Sequence, residues 1–164
     1  MKTYSLSTTW KFFYGIYALV GIAGAYNFLR QLLTIGDKTT TSSLIILCIE
    51  IFVFVYVAVS GGYSILKAQI RFSSETVDYK TFLIVFSTKW SDISKLEVKK
   101  NRFNQEGIYI KSQAAKGWPV IGKHPDGLDV FIPVFMFVKS WRDSDLGQQI
   151  KQHAPHLFEK EKSA

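Results

Sequence analysis

Two long apolar segments near the start of the chain constrain its fold more than any other feature. They run from about residue 12 to 35 and from about residue 44 to 66. At about 1.5 Å per residue, each would form a helix of roughly 35 Å, enough to cross a hydrocarbon core of about 30 Å. The short polar connector GDKTTTS between them predicts an antiparallel helical hairpin. Small residues predict close helix packing; they are Gly21, Gly24 and Ala25 on the first helix and Ala58, Ser60 and Gly61 on the second.

The distribution of charge predicts the orientation of this hairpin. Up to Leu66 the chain carries four basic and two acidic residues, which contribute +2 of the total net charge of +7. Lys2 and Lys11 precede the first segment, and Lys67 and Arg71 follow the second. Because Lys and Arg are enriched in cytoplasmic loops, both ends are predicted to be cytoplasmic.

A second interpretation of the first segment is a secretory signal peptide. The order of basic residues, an apolar stretch and Ala23-Gly24-Ala25 fits a signal with its small-residue cleavage site. However, apolar residues resume at Phe28, as they would in a membrane-spanning helix. The sequence leaves open whether residues 1–25 are removed, and the C-terminal domain is predicted to be cytoplasmic in either case.

The second segment carries one acidic residue, Glu50, within an otherwise apolar run. Arg30 lies at a comparable distance from the middle of the connector, so a hairpin would bring the two to a similar depth. We expect an intramembrane ion pair between Arg30 and Glu50, with a hydrogen bond from Asn27, because pairing removes the cost of a bare charge in lipid. The alternatives are docking of Glu50 to a polar group of a partner membrane protein, and a proton or ion relay, which normally needs several ionisable groups.

After Leu66 the apolar residues change from helical to alternating spacing, which predicts short strands. Six or seven strands are expected before residue 134. The candidate segments are 69–73, 76–82, 82–87, 93–100, 107–112, 118–121 and 128–133.

The chain is then predicted to end in a helix of about residues 141–154. Ser140 and Asp143 have the spacing of a capping box, in which the serine oxygen and the acid satisfy backbone N–H groups of the first turn. The apolar face of this helix would contain Trp141, Leu146, Ile150 and Leu157.

This layout resembles that of bacterial membrane-anchored pleckstrin-homology-like (PH-like) proteins. The resemblance is carried by W-S-D-I at Trp90–Ile93, which leads into a basic alternating strand, and by Ile132-Pro133 before the closing helix. It implies a split barrel of about seven strands with a capping helix in residues 67–164, behind a hairpin in residues 1–66. It also implies a non-enzymatic role. The order of hairpin and small domain is also similar to that of photosystem I assembly proteins, by layout alone.

Residue types that mark catalysis or cofactor binding form no recognisable pattern. His153 and His156 are close in sequence, but Pro155 interrupts the helix between them and His124 lies in a distant loop, so surface histidines are expected rather than metal ligands. No G-x-G-x-x-G, phosphate-loop or G-x-S-x-G pattern occurs, so no cofactor or catalytic residue is predicted. Membrane proximity explains the basic charge, so nucleic acid is not an expected partner.

Two groups of side chains in the soluble part are candidates for binding. The first is a basic run that predicts either a solvated strand face or contact with lipid phosphates or an acidic partner, at about 1 kcal/mol per basic group; it consists of Lys95, Lys99, Lys100 and Arg102. The second is an aromatic group, Phe135, Phe137 and Trp141, which is either core or an apolar partner contact.

Together, these features predict a non-enzymatic, membrane-anchored adaptor or assembly/accessory factor. Its partners would be the lipid bilayer and a larger membrane protein complex, or a second copy of itself. Two alternatives stay open: a sensor of anionic lipid headgroups that uses the basic run, and a component of a transport system that uses Glu50 with Arg30.

Overall fold

The computed structural model describes residues 2–34, 40–112, 114–118 and 128–155. The chain divides into two compact units. One is the helical unit, Thr8–Leu66, and the other joins the residues before Thr8 to those after Leu66. The first seven residues, which the sequence analysis assigned to the membrane anchor, therefore belong to the second unit, here called the β unit.

The helical unit consists of α1 (Thr8–Thr34) and α2 (Thr41–Lys67). Both helices are long and apolar enough to cross a membrane. Each has 27 residues and is therefore about 40 Å long. Both begin before the predicted positions, because a helix continues past the apolar run into its polar flank. Ile35 and residues 36–39 of the connector lie outside the described residues.

The two helices pack antiparallel through small residues. A Cβ atom added at Gly21 would lie 2.8 Å from Cα of Ala58, and one added at Gly61 would lie 3.0 Å from Cβ of Ala18. Backbones approach this closely only where side chains are absent or minimal, which is the packing predicted from the small residues.

Next to this contact, the ring of Phe54 fills the space beside α1. It occupies the position that a Cβ atom at Gly24 would need, and it stacks on Phe28 with 5.4 Å between ring centroids. Ser60, predicted as a packing residue, donates its hydroxyl to the carbonyl of Val57 in its own helix at 3.1 Å.

Most large side chains of the helical unit are exposed. Leu33 is 79% exposed and Phe52 is 72% exposed, and similar values hold around both helices. A helix in water places such residues on one buried stripe, whereas a helix in lipid exposes them on all sides. This distribution is typical of helices that contact lipid, in agreement with their length and apolar composition.

The β unit contains eight described strands in two antiparallel sheets. The strands are β1 (Lys2–Ser5), β2 (Gln69–Phe72), β3 (Thr76–Lys80), β4 (Val85–Lys89), β5 (Ile93–Lys100), β6 (Glu106–Ser112), β7 (Lys116–Trp118) and β8 (Leu128–Ile132). The first sheet has the order β1-β2-β3-β4-β7, and the second has the order β5-β6-β8. The fold is thus two long apolar helices with a small antiparallel β domain.

One predicted strand lies elsewhere than expected. The segment 82–87 was predicted as a buried strand, but β4 begins at Val85 and Leu83 is 57% exposed. The residues before β4 form a turn, in which the N–H of Thr81 donates to the carbonyl of Ile84 at 2.7 Å. A short apolar run alone does not distinguish a strand from an apolar turn.

The core of the β unit draws alternate side chains from both sheets. Its buried strand residues are Ile70, Phe72, Val77, Tyr79, Phe86, Ile108, Ile110, Val130 and Ile132. A hydrogen bond of 2.6 Å between the buried hydroxyls of Thr88 and Ser112 also joins β4 of the first sheet to β6 of the second. The Ser112 hydroxyl is 3.0 Å from the carbonyl oxygen of Asp92, so both hydroxyls are satisfied inside the core.

The C-terminal helix, α3 (Asp145–His153), begins later than predicted. Trp141–Asp143 form a separate 3-10 turn, and Ser140 makes no side-chain capping bond. The capping residue is Ser144, whose hydroxyl oxygen accepts the N–H of Gly147 at 3.3 Å. The prediction of Ser140 as the capping residue is therefore wrong. The cap is Ser144, which directly follows Asp143 of the S-x-x-D pattern. Leu146 and Ile150 are buried as predicted, and Leu157 lies outside the described residues.

Strand β1, which the sequence analysis missed, completes one edge of the first sheet. It pairs with β2 along its whole length, and Leu6 behind it is 3% exposed. Lys2 contacts Asp145 of α3 with 2.6 Å between Nζ and Oδ1. Cleavage after Ala25, the signal-peptide interpretation, would remove this strand and about two thirds of α1.

Candidate functional site

The loop between β5 and β6 carries the most exposed large apolar side chain of the described residues. Phe103 lies in this loop and is 82% exposed. Lys100, the last residue of β5, and Arg102 precede it in the chain and are also exposed. We call these three residues the β5–β6 tip. In the sequence, residues 101–106 lie between the predicted strands 93–100 and 107–112. A large aromatic residue in such a connection, beside two cations, was the feature that could have identified this site.

The loop that carries Phe103 is held by the side chain of Asn101. Its Oδ1 accepts the N–H groups of Phe103 and Gln105 at 2.9 and 3.0 Å, and its Nδ2 donates to Oε1 of Gln105 at 3.0 Å. Asn104 adopts a left-handed conformation with φ of 59°, which Asn tolerates better than most residues. Phe103 therefore projects from a fixed turn.

The predicted basic run is divided by the structure into two pairs. Lys95 and Lys99 both contact Glu97, with N–O distances of 3.0 and 3.6 Å, because strand alternation places residues 95, 97 and 99 on one face. The hydrogen bond from Lys95 lowers the pKa of Glu97 below its usual value, so the acid stays ionised between them. Among the described residues, Lys100 and Arg102 form no ion pair, and their charge is available to a ligand.

The face that holds Lys95 and Lys99 is a mixed polar surface. Lys99 Nζ lies 3.7 Å from the centre of the Tyr109 ring. The hydroxyl of Tyr109 donates to Asp129 at 2.6 Å, and this bond, with partial burial, raises the pKa of Tyr109 to about 12. Two acids thus offset the lysines of this face, which fits a solvated strand face better than a lipid-binding one.

The aromatic candidates are mostly core residues. Phe137 is 5% exposed and packs edge-on against Tyr79 at 6.3 Å between centroids, and Trp141 is 4% exposed. Neither can serve as a surface contact in this fold, because both side chains are buried. Phe135 is half-buried beside a shallow groove that includes the ion pair between Arg142 and Glu106 at 3.0 Å.

The predicted ion pair between Arg30 and Glu50 is not formed within the described hairpin. Arg30 is exposed, Glu50 is half-buried, and no contact within 4.0 Å joins them. The predicted hydrogen bond from Asn27 to Glu50 is not formed either. The physical reason is that Arg30 lies on the face of α1 that points away from α2. Phe28 packs on α2, and the two residues from Phe28 to Arg30 correspond to a rotation of about 200° around the helix.

The histidine candidates show no metal chemistry in the part of the chain that the structure describes. No group of three His, Cys, Asp or Glu side chains there could hold a metal ion. His153 instead stacks on Trp90 of the W-S-D-I segment, with 4.3 Å between centroids and 8° between planes. The Trp90 indole N–H donates to the carbonyl of Ser73 at 3.0 Å, so this motif fixes the end of α3. His124 and His156 lie outside the described residues.

Comparison of the chain with protein-family models, with curated proteins and with solved structures gives no match.

Proposed function

We propose that the protein is a non-enzymatic, membrane-anchored adaptor that binds a partner protein through the β5–β6 tip. The observation that carries this proposal is Phe103, 82% exposed on a turn that Asn101 holds in place. Exposing a large aromatic side chain to water is unfavourable, and a rigid aromatic beside a cation is the common anchor of protein interfaces.

The membrane placement rests on the hairpin and on its connections to the β unit. Only Leu6 and Ser7 separate β1 from α1, and only Ala68 separates α2 from β2. Because β1 pairs with β2, a hairpin that crosses a bilayer returns the chain to the side from which it started. The Lys residues at this end, Lys11 and Lys67, favour the cytoplasmic side of a bacterial inner membrane or thylakoid-like membrane.

The proposed fold of the β unit is a PH-like split barrel. Two antiparallel sheets share one core, and α3 buries Leu146 and Ile150 against it, which supports the resemblance noted from the sequence. In this role the two sheets hold the β5–β6 tip in position. Confinement to the membrane raises the local concentration of the tip near other membrane proteins.

The partner surface that fits the tip is acidic with an apolar pocket. Lys100 and Arg102, which both precede Phe103 in the chain, supply two positive charges. Two such groups near an anionic membrane contribute about 2 kcal/mol in total to the free energy of membrane binding, which is weak. A buried aromatic anchor in a protein pocket contributes about 2 kcal/mol or more to the free energy of protein binding by itself. The pairing of Lys95 and Lys99 with Glu97 further weakens attraction to lipid.

A sensor of anionic headgroups is the second candidate, because an aromatic beside cations also suits the membrane interface. Purified protein in nanodiscs of neutral lipid, mixed with anionic vesicles, distinguishes the two. The adaptor proposal expects little vesicle binding, and the sensor expects binding that is lost in Phe103→Ala and in Lys100→Ala/Arg102→Ala.

A photocrosslinking amino acid placed at position 103 of the full-length protein in native membranes tests the adaptor function directly. We expect one protein adduct of defined mass, which disappears when Lys100 and Arg102 are replaced by Glu. The matched control is the same group at Leu83, an exposed apolar residue in another turn of the β unit. Adducts with lipid alone, or the same adducts from both positions, would contradict the proposal.

A further inference from the structure

Arg30 and Glu50 are charged side chains at matching levels of the hairpin. From the contact between Gly21 and Ala58, Arg30 lies about 13 Å along α1 and Glu50 about 12 Å along α2, and because the helices are antiparallel both distances run toward the connector. Apolar residues continue beyond both charges in the same direction, including Leu33 on α1 and Leu44 on α2. Both charges therefore lie within the apolar surface of the hairpin.

The two side chains nevertheless lie on different faces. Glu50 is three residues after the buried Leu47 and four before Phe54, so it is on the side of α2 that meets α1 and is half-buried there. Arg30 is about 200° from Phe28 and faces away from α2. Within the described hairpin the two side chains therefore make no contact with each other.

We propose that the hairpin associates with a second copy of this chain, and that Arg30 of each copy pairs with Glu50 of the other. The inference rests on the membrane embedding that is part of the proposed function. Charge complementarity is the argument: the chain presents an outward-facing cation and, at the same level, an acid beside the groove between its two helices. A second copy, inserted in the same orientation, supplies the opposite charges at the right depth without further adjustment.

A two-fold symmetric pair satisfies four charges in one interface. Such an interface is self-complementary, so the contact from Arg30 to Glu50 occurs twice. In a bilayer, where either charge alone is strongly disfavoured, both pairs form together or not at all. The result is a bundle of four helices in which the charges lie inside and the exposed apolar side chains face lipid.

The test uses full-length protein in nanodiscs or native membranes, with the copy number measured by single-molecule photobleaching or energy transfer between tagged copies. Wild-type protein should be a dimer. Arg30→Glu alone and Glu50→Arg alone each place like charges in the interface and should weaken association at least tenfold. When the two variants are mixed they should form a heterodimer, because every contact between them is again between opposite charges.

The mixing experiment excludes a pair within one hairpin, since neither variant regains an opposite pair in its own chain. Arg30→Gln and Glu50→Gln should weaken the dimer without introducing repulsion between like charges. These two variants replace the charge reversals in the test if the charge-reversed proteins fail to insert into the membrane. A wild-type monomer, a dimer that persists in both single variants, or the absence of a heterodimer would each overturn the inference. Extraction of wild-type protein by carbonate would refute the membrane embedding itself; protein that resists carbonate and is monomeric refutes only the pairing.

Discussion

In the β unit, apolar side chains such as Ile132 and Phe72 are buried between the sheets, whereas in the helical unit Leu33 and Phe52 face outward. The closest contacts inside the hairpin are made at small residues, at Gly21 in particular. The same residue types thus have opposite positions in one chain. Water drives large apolar groups together, but in lipid there is no such force, and close backbone contact through small residues takes its place.

The largest effect that separates the two units is expected from removing a buried ring. Phe72→Ala should lower the free energy of unfolding of the β unit by about 3–5 kcal/mol, because it leaves a cavity in the core. Denaturant unfolding of the full-length protein in detergent, followed by fluorescence of the adjacent Trp90, measures this. Phe52→Ala on the exposed side of α2 is the control and should leave the transition unchanged; equal losses would contradict the comparison.

A smaller effect is expected from adding one methyl group inside the hairpin. Gly21→Ala should destabilise helix pairing by about 1–3 kcal/mol, since its Cβ would overlap the backbone of Ala58. Gly15→Ala, in the same helix with nothing within 4 Å, should be neutral or stabilising by up to about 1 kcal/mol. Unfolding of the helices by a denaturing detergent, followed by circular dichroism, compares the variants. Similar curves for both would show that the hairpin is not closely packed.

Removing one polar group from the interior of each unit should change stability by a smaller amount. Thr88→Val removes one of the two contacts of the buried Ser112 hydroxyl and should cost about 1 kcal/mol. Ser60→Ala removes a bond within α2 only, and helix pairing should change by less than that. Denaturant titration of the β unit and detergent titration of the hairpin measure the two costs, and a larger loss for Ser60→Ala would reverse the expected order.

The smallest expected effect concerns the water-facing side of the β unit. Tyr109 should ionise at about 12, because it donates to Asp129, instead of near the ordinary value of 10.0. Since the folded pKa is the higher one, the stability contributed by this group is present below about pH 10 and is lost as the pH rises toward 12. In Asp129→Asn the ionisation should move toward 10, as measured by tyrosinate absorbance against Tyr109→Phe. An unchanged titration would mean that the bond is absent in solution.

The sequence predicted the elements that repeat a simple pattern. The helices at 12–35 and 44–66 and most of the short strands follow from periodicity, and the structure confirms two apolar helices and a small antiparallel β domain. Strand β1 has no such pattern: it is four residues long, largely exposed, and its partner strand β2 follows both helices in the chain. Pairing over such a separation is not visible in local residue order.

The candidate site shows the same limit at the level of single side chains. Depth along a helix could be counted from the connector, so Arg30 and Glu50 were placed at similar levels, but their faces depend on which side of each helix meets the other. The sequence prediction did not include Glu97 as the partner of Lys95 and Lys99, although strand alternation places all three on one face. The exposure of Phe103 was not predictable from local residue order, because it results from the turn that Asn101 stabilises.

The pairing of β1 with β2 also sets an order of events during synthesis. Strand β1 is made before the hairpin, yet its hydrogen-bonding partner emerges only after all of α1 and α2 has been made. Lys2 and Ser7 reach their partners later still, since Asp145 and Met136, whose carbonyl accepts the N–H of Ser7, are translated after the last described strand. A strand that precedes the hairpin is therefore among the last to complete its native contacts, and this edge of the first sheet cannot form before the hairpin has been made.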